Sequence, residues 1–248
     1  LPAGQVVPPL DSYRKLRFRQ HLFQVIHEER AALRGDAFEL LGAVIERAAM
    51  LVEKRVIARV GPAGAITVPS TVRRVDLAGK TIMPALIGTH GHPGFQQGLS
   101  YSAANYTRAT LASDLARALY FGVSVVQSMG IEPGDLLYQV RAEQAAGRPL
   151  GALLQVAGRG IGSPNAGPGG AAYAGIAYEV TTEPEARKAV EELAARQVDL
   201  VKIWVDDRNG RAPRLSPPLF RAIIDEAHQR RLRVIAHVFY HADAVALV

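Results

Sequence analysis

The feature that most constrains the fold is a repeated alternation of short apolar segments with amphipathic ones, which begins at Ala85 and continues to the last residue. An apolar run that ends in a loop and is followed by a helical period predicts a buried strand and then a helix. Strands are predicted at 85–89, 123–126, 150–156, 199–204 and 232–237, and helices at 107–120, 134–146, 184–196, 219–230 and from 242 onward. This alternation favours a parallel sheet covered by helices, so the predicted fold class is α/β.

The first predicted strand ends in two histidines, His90 and His92, with a glycine between them. Side chains two residues apart on a strand point to the same face, so the two imidazoles are expected to project together. Pro93 then ends the strand. A pair of imidazoles at a strand end is typical of half of a metal site. The alternative is two surface histidines in a loop.

The residues before these histidines carry a resemblance. Residues 76–92 read DLAGKTIMPALIGTHGH, which resembles the DLxGKxxxPGLIDxHxH segment that begins the barrel in the amidohydrolase superfamily. Ala85 replaces the usual glycine and Gly88 the usual aspartate, and neither position is usually a metal ligand in that family. The branch that the chain resembles is the imidazolonepropionase-like and prolidase-like one.

The resemblance implies a (β/α)8 TIM-type barrel preceded by a small β-sandwich. A closed barrel takes roughly 250 residues, whereas residues 85–248 contain only about five βα units. Parallel strands left open expose an edge that pairs or aggregates readily. We therefore expect the chain to be the N-terminal part of a longer protein, or to need a completing polypeptide or a second copy of itself.

Two segments precede the predicted barrel. Residues 1–37 are predicted to form a helical extension, and residues 38–84 the strands of the small β-sandwich, with strands at 49–52 and 56–60 on either side of a turn at 53–55. The net charge of +6 owes much to a basic run at 14–19. We interpret that run as a solvated face and expect no nucleic-acid partner.

Lys202 stands inside the apolar fourth strand, between Val201 and Ile203. Burial disfavours the ammonium form, and the neutral amine can then add carbon dioxide to give a carbamate. The setting is similar to that of amidohydrolases in which a carboxylated lysine at the end of strand four bridges two metals. The alternative is a lysine that extends to solvent from the strand end.

The fifth predicted strand ends at His237, where the family places a metal-binding histidine. His241 matches a position of the following loop and is a weaker candidate. The remaining histidines are interpreted as surface residues: His21, His27 and His228. The resemblance also implies a sixth-strand histidine and an eighth-strand aspartate that handles the proton, both expected outside the 248 residues. The chain alone is therefore not expected to be active.

A loop rich in glycine and proline is predicted at 157–175. Its glycines at 158, 160 and 162 resemble a dinucleotide-binding fingerprint, but Pro164 and the lack of a following helix argue against one. Since barrel sites lie at the carboxyl ends of the strands, the loop is interpreted as a substrate-facing loop or lid, with a plain connector as the alternative. Residues 206–209 follow strand four on the same face and are candidates to shape the pocket.

The prediction is a metal-dependent hydrolase that cleaves the C–N bond of an amide, a cyclic amide or a dipeptide. His90 and His92 would hold one metal, Lys202 as carbamate would bridge, and His237 would hold the second, with Lys202 and His237 as the catalytic residues. Two zinc ions are favoured, with manganese or cobalt as alternatives. A lyase or isomerase with the same metal cage, or a non-catalytic barrel fragment acting as a binding module, are the competing functions.

Composition excludes other classes of site. The chain has no cysteine, so it holds neither a disulfide nor a thiolate metal site. No apolar run reaches the ~18 residues of a membrane span. A soluble protein is expected, either cytoplasmic or exported after processing.

Overall fold

A computed structural model describes residues 44–54, 56–167 and 175–248. The chain divides between Met83 and Pro84 into two compact units. The predicted helical extension at 1–37, with its basic run and with His21 and His27, lies outside the described residues, and its helix stays a prediction.

The smaller unit contains a β-hairpin made of β1 (Ala48–Glu53) and β2 (Val56–Pro62), followed by a short 3-10 helix at Ala63–Ala65. The strands are antiparallel, with a register shift between Leu51 and Val52. Both strands lie where the sequence predicted them. A sandwich needs two facing sheets, and among the described residues of this unit there is one two-stranded sheet, so the sandwich stays a prediction.

The larger unit alternates strands and helices as the sequence predicted. Its elements are β3 (Leu86–Gly91), β4 (Gln96–Gln97), β5 (Ser100–Tyr101), a 3-10 helix (Ala103–Asn105), α1 (Arg108–Tyr120), β6 (Val123–Ser128), α2 (Leu136–Ala145), β7 (Leu153–Gln155), β8 (Ile161–Gly162), β9 (Tyr178–Glu179), α3 (Glu183–Ala195), β10 (Leu200–Val205), α4 (Pro217–Gln229), β11 (Arg233–Val238) and α5 (His241–Leu247).

Local sequence explains where two of the helices begin. The Thr107 hydroxyl accepts a hydrogen bond from the backbone N–H of Thr110 and caps α1. Thr182 and Glu185 form a capping box at the start of α3. Each cap satisfies N–H groups that the helix itself leaves unpaired.

The strands of the larger unit form two parallel sheets, in the orders β3-β6-β7 and β11-β10-β8-β9. The Asp199 N–H donates to the Val156 carbonyl at 2.8 Å and links the end of β7 to the start of β10. Apart from the two-residue strands β8 and β9, the strands of these sheets therefore follow one another in chain order, as in a barrel. The barrel is not closed, because no described strand pairs with the outer edge of β3 or of β11.

The loop predicted at 157–175 contains a strand that the sequence did not predict. Ile161 of β8 is wholly buried and pairs with Ile203 of β10. A two-residue strand carries too little periodicity to be recognised, and its pairing with β10 and β9 defines it.

The core lies between the sheets and their helices. All six residues of β10 are buried, as expected for a parallel strand that is covered on both faces. The side chains packed around β10 come mainly from α3 and α4 and include Val190, Leu193, Phe220 and Ile223. A second cluster joins α1 and α2 to β6 and β7 through Leu111, Leu115, Leu137, Val140 and Leu154.

Gly160, just before β8, supports the indole of Trp204. A Cβ on Gly160 would lie 2.0 Å from Cζ3 of Trp204, whereas a Cβ on Gly162 would lie 3.7 Å from its nearest neighbours. Gly160→Ala is therefore expected to lower the free energy of unfolding by about 1–3 kcal/mol through overpacking. Gly162→Ala is the matched control, and urea unfolding measures both. Equal stabilities of the two variants would contradict this packing.

Candidate metal centre

The predicted ligands lie on or just after three strands, near the carboxyl ends of β3 and β11 and in the middle of β10. His90 is in β3, Lys202 is in β10 and His237 is in β11. The carboxyl ends of parallel strands meet at one edge of a sheet, which is where barrel enzymes carry their sites.

His90 and His92 lie side by side. Their ring centroids are 5.3 Å apart and the rings meet edge to face. Gly91 lies between them. A Cβ added at Gly91 would lie 2.9 Å from Cγ1 of Val126, so a larger residue would not fit unless Val126 moved. His90 is exposed, whereas His92 is half-buried. The shared face predicted from the two-residue spacing is therefore present.

The backbone after His92 is fixed to the first helix of the barrel. The Gly94 N–H donates to the Asp114 carboxylate at 2.7 Å. Gly94 has a φ of +98°, and the Tyr106 ring lies 3.0 Å from where its Cβ would be. Glycine is required there by both the conformation and the space. The backbone of the turn that follows His92 is therefore restricted to one conformation.

Lys202 is 2% exposed, in the middle of a strand whose other residues are all buried. Its ammonium nitrogen lies 5.9 Å from the centroid of the Trp204 ring. Burial lowers the pKa of Lys202 from 10.5 to about 8. At pH 8 about half of these amines are then neutral, whereas a solvated lysine is almost wholly protonated. The lysine does not extend to solvent, so that alternative is wrong.

His237 is exposed and lies beside Trp204 in the pairing of β11 with β10. Its Nε2 is 3.2 Å from Oδ2 of Asp206, the residue that follows β10. Asp206 Oδ1 accepts a hydrogen bond from the Arg208 backbone N–H. The carboxylate is therefore held by its own loop while it orients the imidazole.

His90, His92, Lys202 and His237 influence one another electrostatically. Burial lowers the pKa of His90, and the charges of Lys202 and His237 lower it further. Burial, His90 and Lys202 together lower the pKa of His92 to about 4. Both imidazoles on the first strand are therefore neutral at pH 7, which is the form that binds metal.

The three imidazoles do not converge into one ligand set. Among the described residues, no group of three or more His, Cys, Asp or Glu side chains is close enough to hold a metal ion. The expected convergence of His90 and His92 with His237 is thus not seen. The physical reason is that β3 and β11 belong to different sheets, so no backbone hydrogen bonds fix the distance between them.

Glu132 is a site residue that the sequence reasoning missed. It follows β6, is 2% exposed, and places Oε1 at 4.0 Å from Nδ1 of His92. Burial raises the pKa of Glu132 to about 8, against the opposing effect of backbone hydrogen bonds, including one from Gly130. One feature of the sequence could have indicated Glu132: it is the single acidic residue in the otherwise apolar segment MGIEPG, which follows directly after a strand.

A cleft of about 340 Å³ opens beside His237. It is lined mainly by the end of β10 and the loop that follows, namely Gly167, Trp204, Asp206, Arg208, Asn209, Arg211 and His237. Three of the four predicted pocket residues, 206, 208 and 209, therefore line the cleft, and Asp207 does not. The Asp207 carboxylate instead accepts hydrogen bonds from the Tyr240 hydroxyl and the Gly210 N–H.

The weaker histidine candidates lie at the surface. His241 begins α5 and His228 lies in the last turn of α4, and both are exposed. None of the helices in the described ranges is both long and apolar enough to cross a bilayer.

No protein-family model and no curated protein sequence matches the chain. Solved structures do. An amidohydrolase matches with a TM-score of 0.66 at 21% identity, over 81% of this chain and 53% of its own. A putative prolidase from Bifidobacterium longum matches with a TM-score of 0.62 at 27% identity, over 77% of this chain and 44% of its own. A Xaa-Pro dipeptidase with methionine bound in its active site matches with a TM-score of 0.63 at 18% identity, over 81% and 54%.

These comparisons agree with the order of the strands. The chain spans about half the length of the solved structures that it matches. That share fits the open barrel, in which β3, β6, β7, β10 and β11 run in chain order. Over about four fifths of its length, the chain therefore has part of the amidohydrolase fold.

Proposed function

We propose that the whole protein is a metal-dependent hydrolase that cleaves a carbon–nitrogen bond. The observation that carries this proposal is Lys202, a lysine 2% exposed in a wholly buried strand that pairs with the strand of His237, and whose charge acts on His90 and His92. An unpaired buried lysine is rarely retained for stability, because desolvation penalises its charged form. A role in metal binding or catalysis would explain why Lys202 is buried.

The donor set fits divalent cations. His90 and His92 would hold one ion through neutral imidazoles, and His237 would hold the second. Lys202 would lie between them as a carbamate, formed when its neutral amine adds to the carbon of carbon dioxide and loses one proton. Imidazole and anionic oxygen donors suit zinc, manganese or cobalt, and zinc is our first choice. When bound, such ions lower the pKa of water and polarise a carbonyl group.

The chain's own residues would supply orientation and exclusion of water. Asp206 holds the His237 ring in place through Nε2 at 3.2 Å. Trp204 forms an apolar wall of the cleft, and Arg208 and Arg211 lie on its lining. Two guanidinium groups suit a substrate that carries a carboxylate, such as a dipeptide or an N-acyl amino acid. The structures matched include a putative prolidase and a Xaa-Pro dipeptidase.

We also propose that further βα units close this barrel, supplied by additional polypeptide or by a second copy. The outer edge strands support this, since Leu86 and Ile87 of β3 and Val238 of β11 are exposed apolar residues. Such edges pair readily with other strands. The added units would bring the sixth-strand histidine and the eighth-strand aspartate that the resemblance implies.

The direct test is hydrolysis of a panel of Xaa-Pro dipeptides and N-acyl amino acids by the whole protein. Hydrolysis is expected to stop after treatment with a chelator and to return when zinc, manganese or cobalt is added, because the ions supply the activated water. Unchanged turnover in the chelated protein would refute the metal-dependent mechanism. Metal-dependent rearrangement or elimination without hydrolysis would favour the lyase or isomerase alternative instead.

A further inference from the structure

Four buried polar atoms in the described residues have no hydrogen-bond partner, and two of them face each other. The four atoms are Nδ1 of His92, Oε1 of Glu132 and the hydroxyls of Tyr106 and Tyr138. His92 Nδ1 and Glu132 Oε1 face each other at 4.0 Å. Burial raises the pKa of each tyrosine and Glu132 raises both further, although the charges of Arg196 and Arg141 act more strongly on Tyr138 in the opposite direction.

Unpaired buried polar groups are rare because each one forfeits its hydrogen bonds to water. When two of them face each other, as His92 Nδ1 and Glu132 Oε1 do, the arrangement indicates an interaction that the site completes in use. An imidazole N–H donates and a carboxylate accepts, so His92 is a suitable donor to Glu132.

The Glu132 side chain is held in a fixed orientation. Its Oε2 accepts a hydrogen bond from the Gly130 N–H at 3.0 Å, which leaves Oε1 aimed at His92. The side chain is 1% exposed, whereas that of His92 is 29% exposed. A gap of 4.0 Å is about 1 Å longer than a hydrogen bond. The less confined partner, His92, is therefore the one that turns to close it.

The turn that carries Glu132 is also fitted against Lys202. Gly130 has a φ of +91°, and its Cβ would lie 2.9 Å from Cγ of Lys202. The Gly130 carbonyl accepts a hydrogen bond from the Gly160 N–H at 2.9 Å. One short turn therefore packs on the candidate bridging lysine and presents a carboxylate to a candidate metal-binding histidine.

We propose that Glu132 is a positioning residue that accepts the Nδ1–H of His92 and so directs the lone pair of Nε2 toward the metal. A metal-binding histidine ordinarily donates its other ring N–H to such an acceptor, which fixes both its tautomer and its orientation. This inference rests on the proposed function, since it concerns a ligand of the proposed metal.

Glu132→Gln gives a sharp test because the new amide has one acceptor oxygen instead of two. If the Gly130 N–H takes that oxygen, the NH₂ group faces His92 and needs Nδ1 as its acceptor. The ring proton then moves to Nε2 and blocks the metal-binding lone pair. Zinc affinity of the whole protein, measured by competition with a chelator, is expected to fall about 10- to 100-fold.

Glu226→Gln is the matched control. Glu226 is another buried glutamate, but it lies on α4 and is paired with Arg187 and Arg230. This variant loses comparable buried interactions away from the strand ends, so its zinc affinity is expected to stay within about twofold of the wild type. An equal loss in both variants would mean that Glu132 has only a structural role, and would overturn the proposal.

The tautomer of His92 in metal-free protein is the second readout. We expect Nδ1–H in the wild type and Nε2–H in Glu132→Gln, in ¹H–¹⁵N spectra. An Nε2–H tautomer in the wild type overturns the proposal without any variant, and so does an unchanged tautomer in Glu132→Gln. If the wild type binds no zinc, the proposed function fails, whereas the tautomer still decides the role of Glu132.

Discussion

Lys202→Arg is expected to reduce turnover of the whole protein about a thousandfold. Arginine stays charged and cannot form a carbamate, so a cation would face two divalent ions. Repulsion at ~4 Å and an effective dielectric near 20 is about 4 kcal/mol per pair of unit charges, which corresponds to about three powers of ten in rate. Steady-state kinetics and metal content measure the loss. Full turnover in Lys202→Arg would rule out the carbamate.

The same position allows a chemical rescue. Lys202→Ala is expected to be as inactive as Lys202→Arg but, unlike it, to regain part of its activity with short carboxylic acids, which occupy the place of the carbamate. Lys188→Arg is the control, because Lys188 is an exposed lysine on α3. Rescue of both Lys202 variants alike would show that the added acid acts elsewhere.

The variant that combines His90→Ala with His92→Ala is expected to lose most of its bound metal. The two imidazoles lie 5.3 Å apart between centroids and are both neutral at pH 7, so together they are the proposed ligands of one ion. Elemental analysis of the whole protein measures the stoichiometry. His237→Ala is expected to lose about one of the two ions, since it removes only the second site.

His228→Ala controls for the general effect of removing an imidazole, since His228 is exposed on α4 and lies outside the candidate site. Its metal content should equal that of the wild type. If the double variant also keeps its metal, the assignment of His90 and His92 as ligands is wrong.

The barrel elements were predictable because each depends on local periodicity. The helix predicted at 107–120 is Arg108–Tyr120, and the strand predicted at 199–204 is Leu200–Val205. The third strand was predicted at 150–156 and is shorter, Leu153–Gln155. Its apolar residues continue into the packing of α1, where the Ala152 N–H donates to the Leu115 carbonyl. Apolar sequence predicts burial there, but it does not separate a strand from a buried turn.

The sequence by itself determined the order of strands and helices, and it placed His90, His92 and His237 at strand ends and Lys202 inside a strand, since those features follow from spacing along the chain and from the motif. Only the tertiary structure decided what surrounds them. It brought Glu132 to His92, Asp206 to His237 and Gly130 onto Lys202. It also showed that part of the loop predicted at 157–175 forms the strand β8. The physical reason is that strand pairing and packing bring together residues that are far apart in the chain and fix the direction of each turn. The periodicity of the sequence contains no information about either.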